Sequence, residues 1–353
     1  MRAVPRGHTD LSTAPLQRGR SQLCSTRAAL YRGPFYGRPM SRVPLPSPLA
    51  HRAWSVTEAY DFGLSPSRLR GKSLARPFHG VRSPTTPQTP LELAHAYFTR
   101  PRPGQFIIGS TAAQLWGLPL PRRLHGTDGS VSIGVPDTRN KPRGRGVNAR
   151  QFRSDLVSTA SRAGVPVASI CLTLLSLSNS VSLEERVVMT DAAISAAENY
   201  PSDASVKRPL TTLEALTDFS ERCGSATGGR ALRDAVCLAR PGVESPMESV
   251  LRFKIVAAGI LEPDIAVTVT CPSGREARLD LAYRDGRVAL EYDGYEFHAN
   301  KQQWQRDIHR TRDLQQAGWH VIRVTAGDIY PNADRFLGYL RRVLRSRSDL
   351  ALR

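Results

Sequence analysis

The chain has 353 residues, with 49 Lys and Arg against 31 Asp and Glu, a formal net charge of +18 and a pI near 10.4. That length accommodates two ordinary domains with cores of their own, and the charge points to a polyanion such as nucleic acid or, alternatively, to an anionic membrane surface. No apolar run approaches the roughly 20 residues needed to cross a bilayer, since stretches such as 165–177 are broken by Ser and Pro, and a membrane-spanning helix is excluded.

The five cysteines, Cys24, Cys171, Cys223, Cys237 and Cys271, stand at no CxxC spacing. Neither a zinc site nor a disulfide framework is suggested, and reduced thiols in a cytoplasm are expected.

Residues 1–50 are rich in Arg, Pro, Ser and Gly, with Asp10 as the one acid. They lack apolar periodicity and are expected to form a disordered basic segment. Pro5, Pro15, Pro34 and Pro39 interrupt the amphipathic helix that a transit peptide would need, and Met40 offers an alternative start of translation.

Residues 51–85 read as helix, turn, helix and hairpin. Ser55 with Glu58 three residues later suggests a capping box, Gly63 breaks the first helix, and Ser65-Pro66 opens a second one through about residue 74. Residues 76–82 suit a small hairpin, so a winged helix-turn-helix is the natural expectation. Arg68, Arg70 and Lys72 on the second helix, with Arg82 beyond it, suit phosphates and guanine edges. The plainer alternative is a solvated basic helix.

After a Pro/Thr-rich joint at 83–90, the pattern predicts a helix over 91–99, a strand over 106–108 and a helix over 111–116. Short strands over 131–135 and 147–152 and apolar helices over 170–177 and 183–197 follow. This second unit, 86–200, contains no nucleotide loop and no nucleophile elbow, and its Leu and Val stripes read as core. Residues 201–242 read as a helical linker.

The run Ser110-Thr-Ala-Ala-Gln-Leu-Trp-Gly-Leu-Pro-Leu-Pro121, with Gly164-Val-Pro-Val-Ala-Ser169 after it, resembles the amino-terminal region of AbiEi-type antitoxins. The likeness covers about residues 50–200 and implies a DNA-binding module, with a cognate toxin protein as a partner if the likeness extends to function.

The chemistry concentrates in the last third. Ser245-Pro246 caps a helix running to about residue 258, and strands over 278–283 and 287–293 flank Asp285-Gly286. That pair suits a two-residue hairpin turn in which both positions take positive φ. With Arg284 opposite Arg287, Asp280 falls opposite Glu291 on one face, while Leu279, Leu281 and Tyr283 meet Val288, Leu290 and Tyr292 on the other. Facing like charges are destabilising unless something positive lies between them, and a divalent cation such as Mg²⁺ accepts such oxygen ligands. The alternative is a solvated polar face bridged by Arg278, Arg284 or Arg287.

Helix, hairpin, a helix over 301–317 and a strand over 318–325, with Glu248, Asp280 and Glu291 in that order, resemble the PD-(D/E)xK nuclease superfamily. Glu291-Tyr-Asp-Gly-Tyr-Glu-Phe-His298, followed by Asp307, Arg310, Leu314, Gly318-Trp319 and Val321-Ile-Arg323, is similar to the domain related to very-short-patch-repair endonucleases. The likeness covers about residues 243–347. It implies a restriction-endonuclease-like α/β domain with a mixed central sheet, and hence an α/β multidomain chain whose amino-terminal region contains a winged helix.

The implied activity is that of a metal-dependent endodeoxyribonuclease: Mg²⁺ or Mn²⁺ held by Asp280 and Glu291, Glu248 assisting, and DNA as substrate. The superfamily lysine is here Asp293, so His298, or Lys301 from the next helix, becomes the candidate proton relay or DNA-contacting cation. Plainer roles stand beside these: His298 as a loop residue, Glu248 as a capping glutamate, Asp307 and Arg310 as an intrahelical pair. Arg341, Arg342, Arg345 and Arg347 would add salt-dependent affinity. A catalytically inactive DNA-binding regulator or an antitoxin-like protein of a defence system is the alternative function, and cleavage of both strands would call for a homodimer or successive nicks.

Overall fold

Near the start of the described residues, one serine fixes both a short strand and a helix. Residue Ser55 ends β1 (Trp54–Ser55), and its side chain accepts the Glu58 amide at 3.1 Å to start α1 (Val56–Asp61). The Glu58 carboxylate pairs with Arg52 instead of closing the capping box. Ser65 and Pro66 open α2 (Pro66–Arg70), which stops at Gly71, short of the expected residue 74. The chain returns through β2 (Val81–Arg82), antiparallel to β1, and the Ala75–Ser83 bridge closes the loop between them. Trp54, Ala59, Leu64, Leu69 and Leu74 form a small core of their own.

The structure, a computed structural model, describes the backbone of residues 44–100, 102–126, 128–200, 206–294 and 301–351, with side chains described for all of these except 301–306 and 348–351. The expected disordered segment, apart from its last residues, and His298 lie outside the described residues, as does the side chain of Lys301.

Beyond α3 (Pro90–Phe98), β3 (Phe106–Ile107) and α4 (Gly109–Leu115) come β4 (Val131–Val135), β5 (Val147–Gln151), β6 (Thr159–Arg162) and β7 (Val165–Ala168). They form one mixed sheet in the order β5-β4-β3-β7-β6. Phe106 stands opposite Gly134, where an added Cβ would come within 2.2 Å of the Phe106 ring, so only glycine lets the ring cross the neighbouring strand.

Helices α5 (Ile170–Leu177), α6 (Leu183–Ile194), α7 (Leu213–Arg222) and α8 (Gly229–Leu238) complete this layer. Leu216, Phe219, Leu232 and Val236 on α7 and α8 belong to the same core as the sheet. The α6 helix is bounded by a full capping box between Ser182 and Glu185. It places Met189 and Ala192 in that core while Val188 packs with the carboxy-terminal cluster.

The carboxy-terminal part contains α9 (Pro246–Ala257), β8 (Asp264–Thr270), β9 (Glu276–Tyr283), β10 (Val288–Tyr292), α10 (Lys301–Gln316), β11 (His320–Val324), α11 (Ala326–Ile329) and α12 (Asp334–Ala351). Its sheet runs β11-β10-β9-β8, with β10 parallel to β11 and the other pairs antiparallel. Gly318, at φ 84, ends α10 and turns the chain into β11. One face of the sheet is covered by Leu251 and Ile255 of α9 with Phe336, Leu337 and Leu340 of α12. The other is covered by Leu314 and Trp319.

Two expectations for the hairpin are corrected. Its turn spans four residues, 284–287, closed by the Arg287 amide on the Arg284 carbonyl at 3.1 Å, with positive φ at Arg287 (47°) and not at Asp285 or Gly286. The one left-handed residue at the end of the turn returns the chain into β10 in the same register that a two-residue turn would give. Leu279 also leaves the expected layer: it packs with Ala282, Ala289 and Trp319, whereas Leu281 and Tyr283 pack with Val288 and Leu290. The strand thus changes sides around Asp280.

Among the described residues no helix is long and apolar enough to cross a membrane. Cys171, Cys223, Cys237 and Cys271 are free.

Candidate active site

Strand pairing brings the two expected acids together. The β9–β10 ladder pairs Tyr283 with Val288, Ala282 with Ala289 and Leu281 with Leu290. The next step in that register is Asp280 beside Glu291. The ladder stops there, and the Tyr292 amide donates to Asp280 Oδ2 at 2.9 Å, so a carboxylate occupies the place of a strand carbonyl. Asp280 and Glu291 repel each other, which contributes to a raised Asp280 pKa.

Asp280, Glu291, Asp293 and Asp307 share a cleft of about 330 Å³ with Arg310 and Arg323. Among the described residues, four carboxylates face two guanidiniums in this cleft. Arg310 Nη2 lies 2.8 Å from Glu291 Oε1, and the same nitrogen also donates to the Arg278 carbonyl. Glu291 is 8 % exposed, and its Oε1 is buried without a contact of hydrogen-bond geometry, the approach of Arg310 being an ion contact only. Arg323, opposite Glu291 in the parallel ladder, reaches Asp293 Oδ2 at 3.3 Å.

Glu248 stands behind this cleft. Its amide donates to the capping Ser245 Oγ at 3.3 Å, but its Oε2 accepts the Glu244 amide at 3.0 Å and not that of Ser245, so the expected capping box is not closed, and its carboxylate is buried. Burial first, and then the Asp280 charge, push its pKa up to about 7. Asp280 is pushed up to about 6, burial again leading, with the Tyr292 amide and Arg310 opposing. Three acids on α9, β9 and β10 are therefore electrostatically joined, although among the described residues no three His, Cys, Asp or Glu converge in a ligating arrangement.

Buried carboxylates with raised pKa values and an incompletely satisfied oxygen fit a hard, oxygen-liganded divalent cation. Asp280 and Glu291 could hold it directly. The two cleft arginines were not singled out as site cations by the sequence. Their signals were the position of Arg310 nine residues after Lys301 in the helix following the hairpin, and the position of Arg323 in the Val321-Ile-Arg323 strand.

The expected DNA-contacting residues lie elsewhere. Arg70 and Lys72 are exposed at the end of α2, and Arg68 is half-buried. Arg82 spends its guanidinium on the fold, donating from Nε to the Leu69 carbonyl at 2.8 Å and from Nη1 to the Val81 carbonyl at 2.9 Å. On α12, Arg341 donates to the Ala258 carbonyl and Arg347 to the Gly318 carbonyl.

Comparison with known proteins points to the same part of the chain. A restriction-endonuclease-like family model, REase_MTES_1575, matches residues 254–344, which include β8 to β11 and the whole cleft. Two curated proteins of Mycobacterium tuberculosis, the "uncharacterized protein MT2308" of strain CDC 1551 / Oshkosh and the "uncharacterized protein Rv2248" of strain H37Rv, are each 30 % identical over 114 residues. That alignment covers 32 % of this chain and 42 % of the length of each relative. No solved structure matches. The carboxy-terminal region is thus similar to a restriction-endonuclease-like family, which suggests nuclease activity.

Proposed function

We propose that this protein is a metal-dependent DNA endonuclease of the very-short-patch-repair-like type within the PD-(D/E)xK superfamily, with its active site at the Asp280–Glu291 cleft. The observation that carries the proposal is the electrostatic joining of three largely buried acids, Glu248, Asp280 and Glu291, at the end of a β ladder whose last amide is taken by Asp280. Burying like charges is unfavourable by itself and is offset when a cation joins them.

When bound, Mg²⁺ or Mn²⁺ would supply a Lewis acid that draws charge from a scissile phosphate and acidifies attacking water. Asp280 and Glu291 would hold it, and the Tyr292 amide keeps the Asp280 carboxylate oriented. Glu248 can store a proton near neutral pH beside Asp280. Arg310 and Arg323 stand where the superfamily lysine is replaced by Asp293, and their guanidiniums would orient phosphate oxygens. His298 and Lys301 remain proposed contributors from the segment that follows.

In the same reading the amino-terminal region is a winged-helix DNA-binding module, with Arg68 and Arg70 of α2 and Lys72 just beyond it as its phosphate and base contacts. Cleavage of a duplex then needs two copies of the cleft or two successive nicks. The replacement of the lysine by Asp293, itself paired with Arg323, favours a second reading: a DNA-binding regulator, antitoxin-like, that has lost cleavage.

Incubating the wild type and Asp280→Asn with supercoiled and linear DNA in Mg²⁺, Mn²⁺ or EDTA separates the two readings. Metal-dependent nicking by the wild type alone is expected. DNA binding without cleavage under every metal would favour the regulator.

A further inference from the structure

A second, larger cavity of about 560 Å³ opens between residues 76–82 and the Gly-rich loop 142–147, and its lining includes Arg76, His79, Arg82, Arg102, Arg143 and Arg145 with no acid among the described residues. Two of these cations are held by the fold: Arg82 on the Leu69 carbonyl and Arg76 on the Arg70 carbonyl at 2.5 Å. Arg102 lies 4.7 Å above the Tyr97 ring, and its Nε is buried without a hydrogen-bond partner. Arg143 and Arg145 are exposed and make no hydrogen bond or ion pair among the described residues. Gly146 fixes the loop that carries them, with φ 76 and a would-be Cβ only 3.1 Å from the Gly129 carbonyl oxygen.

Five guanidiniums lining one cavity without a carboxylate among the described residues, one with a buried and unsatisfied donor, repel one another until an anion is supplied. The aromatic residues leave no platform for base stacking. Phe78 and Tyr97 are buried, and the accessible Tyr97 face is already covered by Arg102, so no ring is free to stack on a base. The chemistry left is that of phosphate oxygens. We infer that this pocket clasps phosphates of a DNA backbone, giving the protein a sequence-independent anchoring site whose lining shares no residue with α2 or the carboxylate cleft. The inference rests on the reading of the chain as DNA-acting.

The test uses the full chain in EDTA and a short fluorescent duplex, with anisotropy titrations at several salt concentrations. Arg143→Ala with Arg145→Ala removes two exposed, unpartnered side chains and leaves the core untouched. Roughly a tenfold loss of affinity is expected, the same for unrelated duplex sequences, with the slope of log K against log salt shallower by about 2. Affinity and slope equal to wild type would overturn the inference. So would ATP binding in the pocket more tightly than the duplex, with DNA binding unchanged in the double variant. Failure of the wild type to bind any duplex would sink the DNA-acting reading as well. Duplex binding that depends on Arg143 and Arg145 without cleavage in any metal would remove the nuclease alone.

Discussion

The Asp191 carboxylate on α6 and the Arg252 guanidinium on α9 meet at 2.9 Å with both side chains essentially excluded from solvent. Asp191 Oδ2 also accepts Ser249 Oγ at 2.8 Å, and its Oδ1 accepts the Arg240 amide at 2.8 Å. Arg252 passes its charge on to Glu262 at 2.7 Å, and Glu262 also takes Arg240 at 2.9 Å. The pair thus ties the last helices of the amino-terminal layer to the first helix before the β8–β11 sheet. Removing one partner leaves the other buried and uncompensated, so Asp191→Ala should destabilise by about 3–5 kcal/mol. Denaturant unfolding measures it. A loss below about 1 kcal/mol would mean that water reaches the pair, and Asp191→Ala with Arg252→Met should recover part of the loss.

The acids of the cleft predict a pH dependence of stability. Glu248 rises from 4.5 to about 7 and Asp280 from 3.8 to about 6 on folding. With both values higher in the folded chain, their contribution is fully present below about pH 4 and is lost as pH climbs through about 6 and 7. In EDTA the protein should therefore lose stability between about pH 4 and pH 7, by up to about 3 kcal/mol from Glu248. Glu248→Gln should flatten that limb. Thermal melts of both chains across this range check the sign, and a wild-type curve parallel to the Gln variant would refute it. Added Mg²⁺ should restore stability at pH 8 through binding to the folded state alone.

Arg310 occupies the side of Glu291 that a cation would approach. Arg310→Gln should strengthen Mn²⁺ binding by about tenfold, worth about 1.4 kcal/mol, as read by calorimetry with no DNA present. If the variant binds Mn²⁺ as the wild type does, the guanidinium and the ion do not compete, and Arg310 acts on the phosphate alone.

Arg82 offers a contrast with the basic residues of α2. Because its guanidinium bridges Leu69 and Val81, Arg82→Ala should cost about 1–3 kcal/mol of stability by leaving a carbonyl unpaired. Lys72→Ala, at an exposed side chain with no hydrogen bond or ion pair among the described residues, should leave the unfolding midpoint unchanged while weakening DNA binding. Equal stability of the two variants would contradict this division.

The facing of Asp280 and Glu291 was legible because strand alternation and the Asp285-Gly286 turn fix a register without any tertiary information. The turn's backbone was not, since two different loop types give the same register. Strand β7 was hidden by Pro166, which argues against a paired strand. It is tolerated opposite Ser161, while Val167 is the residue paired to both neighbours. Arg310 and Arg323 escaped notice as cleft residues because their place depends on how α10 packs on the sheet and on the parallel pairing of β11. Asp191 stood in the run Val187-Val-Met-Thr-Asp-Ala-Ala193, where an acid amid apolar residues was itself a sign of a buried partner.

Helix α6 turns one side to each of two cores, Met189 to one and Val188 to the other. A chain cut between α8 and α9 would separate Arg252 from its carboxylate and bare the apolar surface on which Val188 sits. The excised carboxy-terminal piece should therefore be poorly soluble, and mild protease digestion of the intact protein should trim its ends before it yields two stable halves. A sequence change that loosens α6 would then disturb α9, the helix that carries both Arg252 and Glu248.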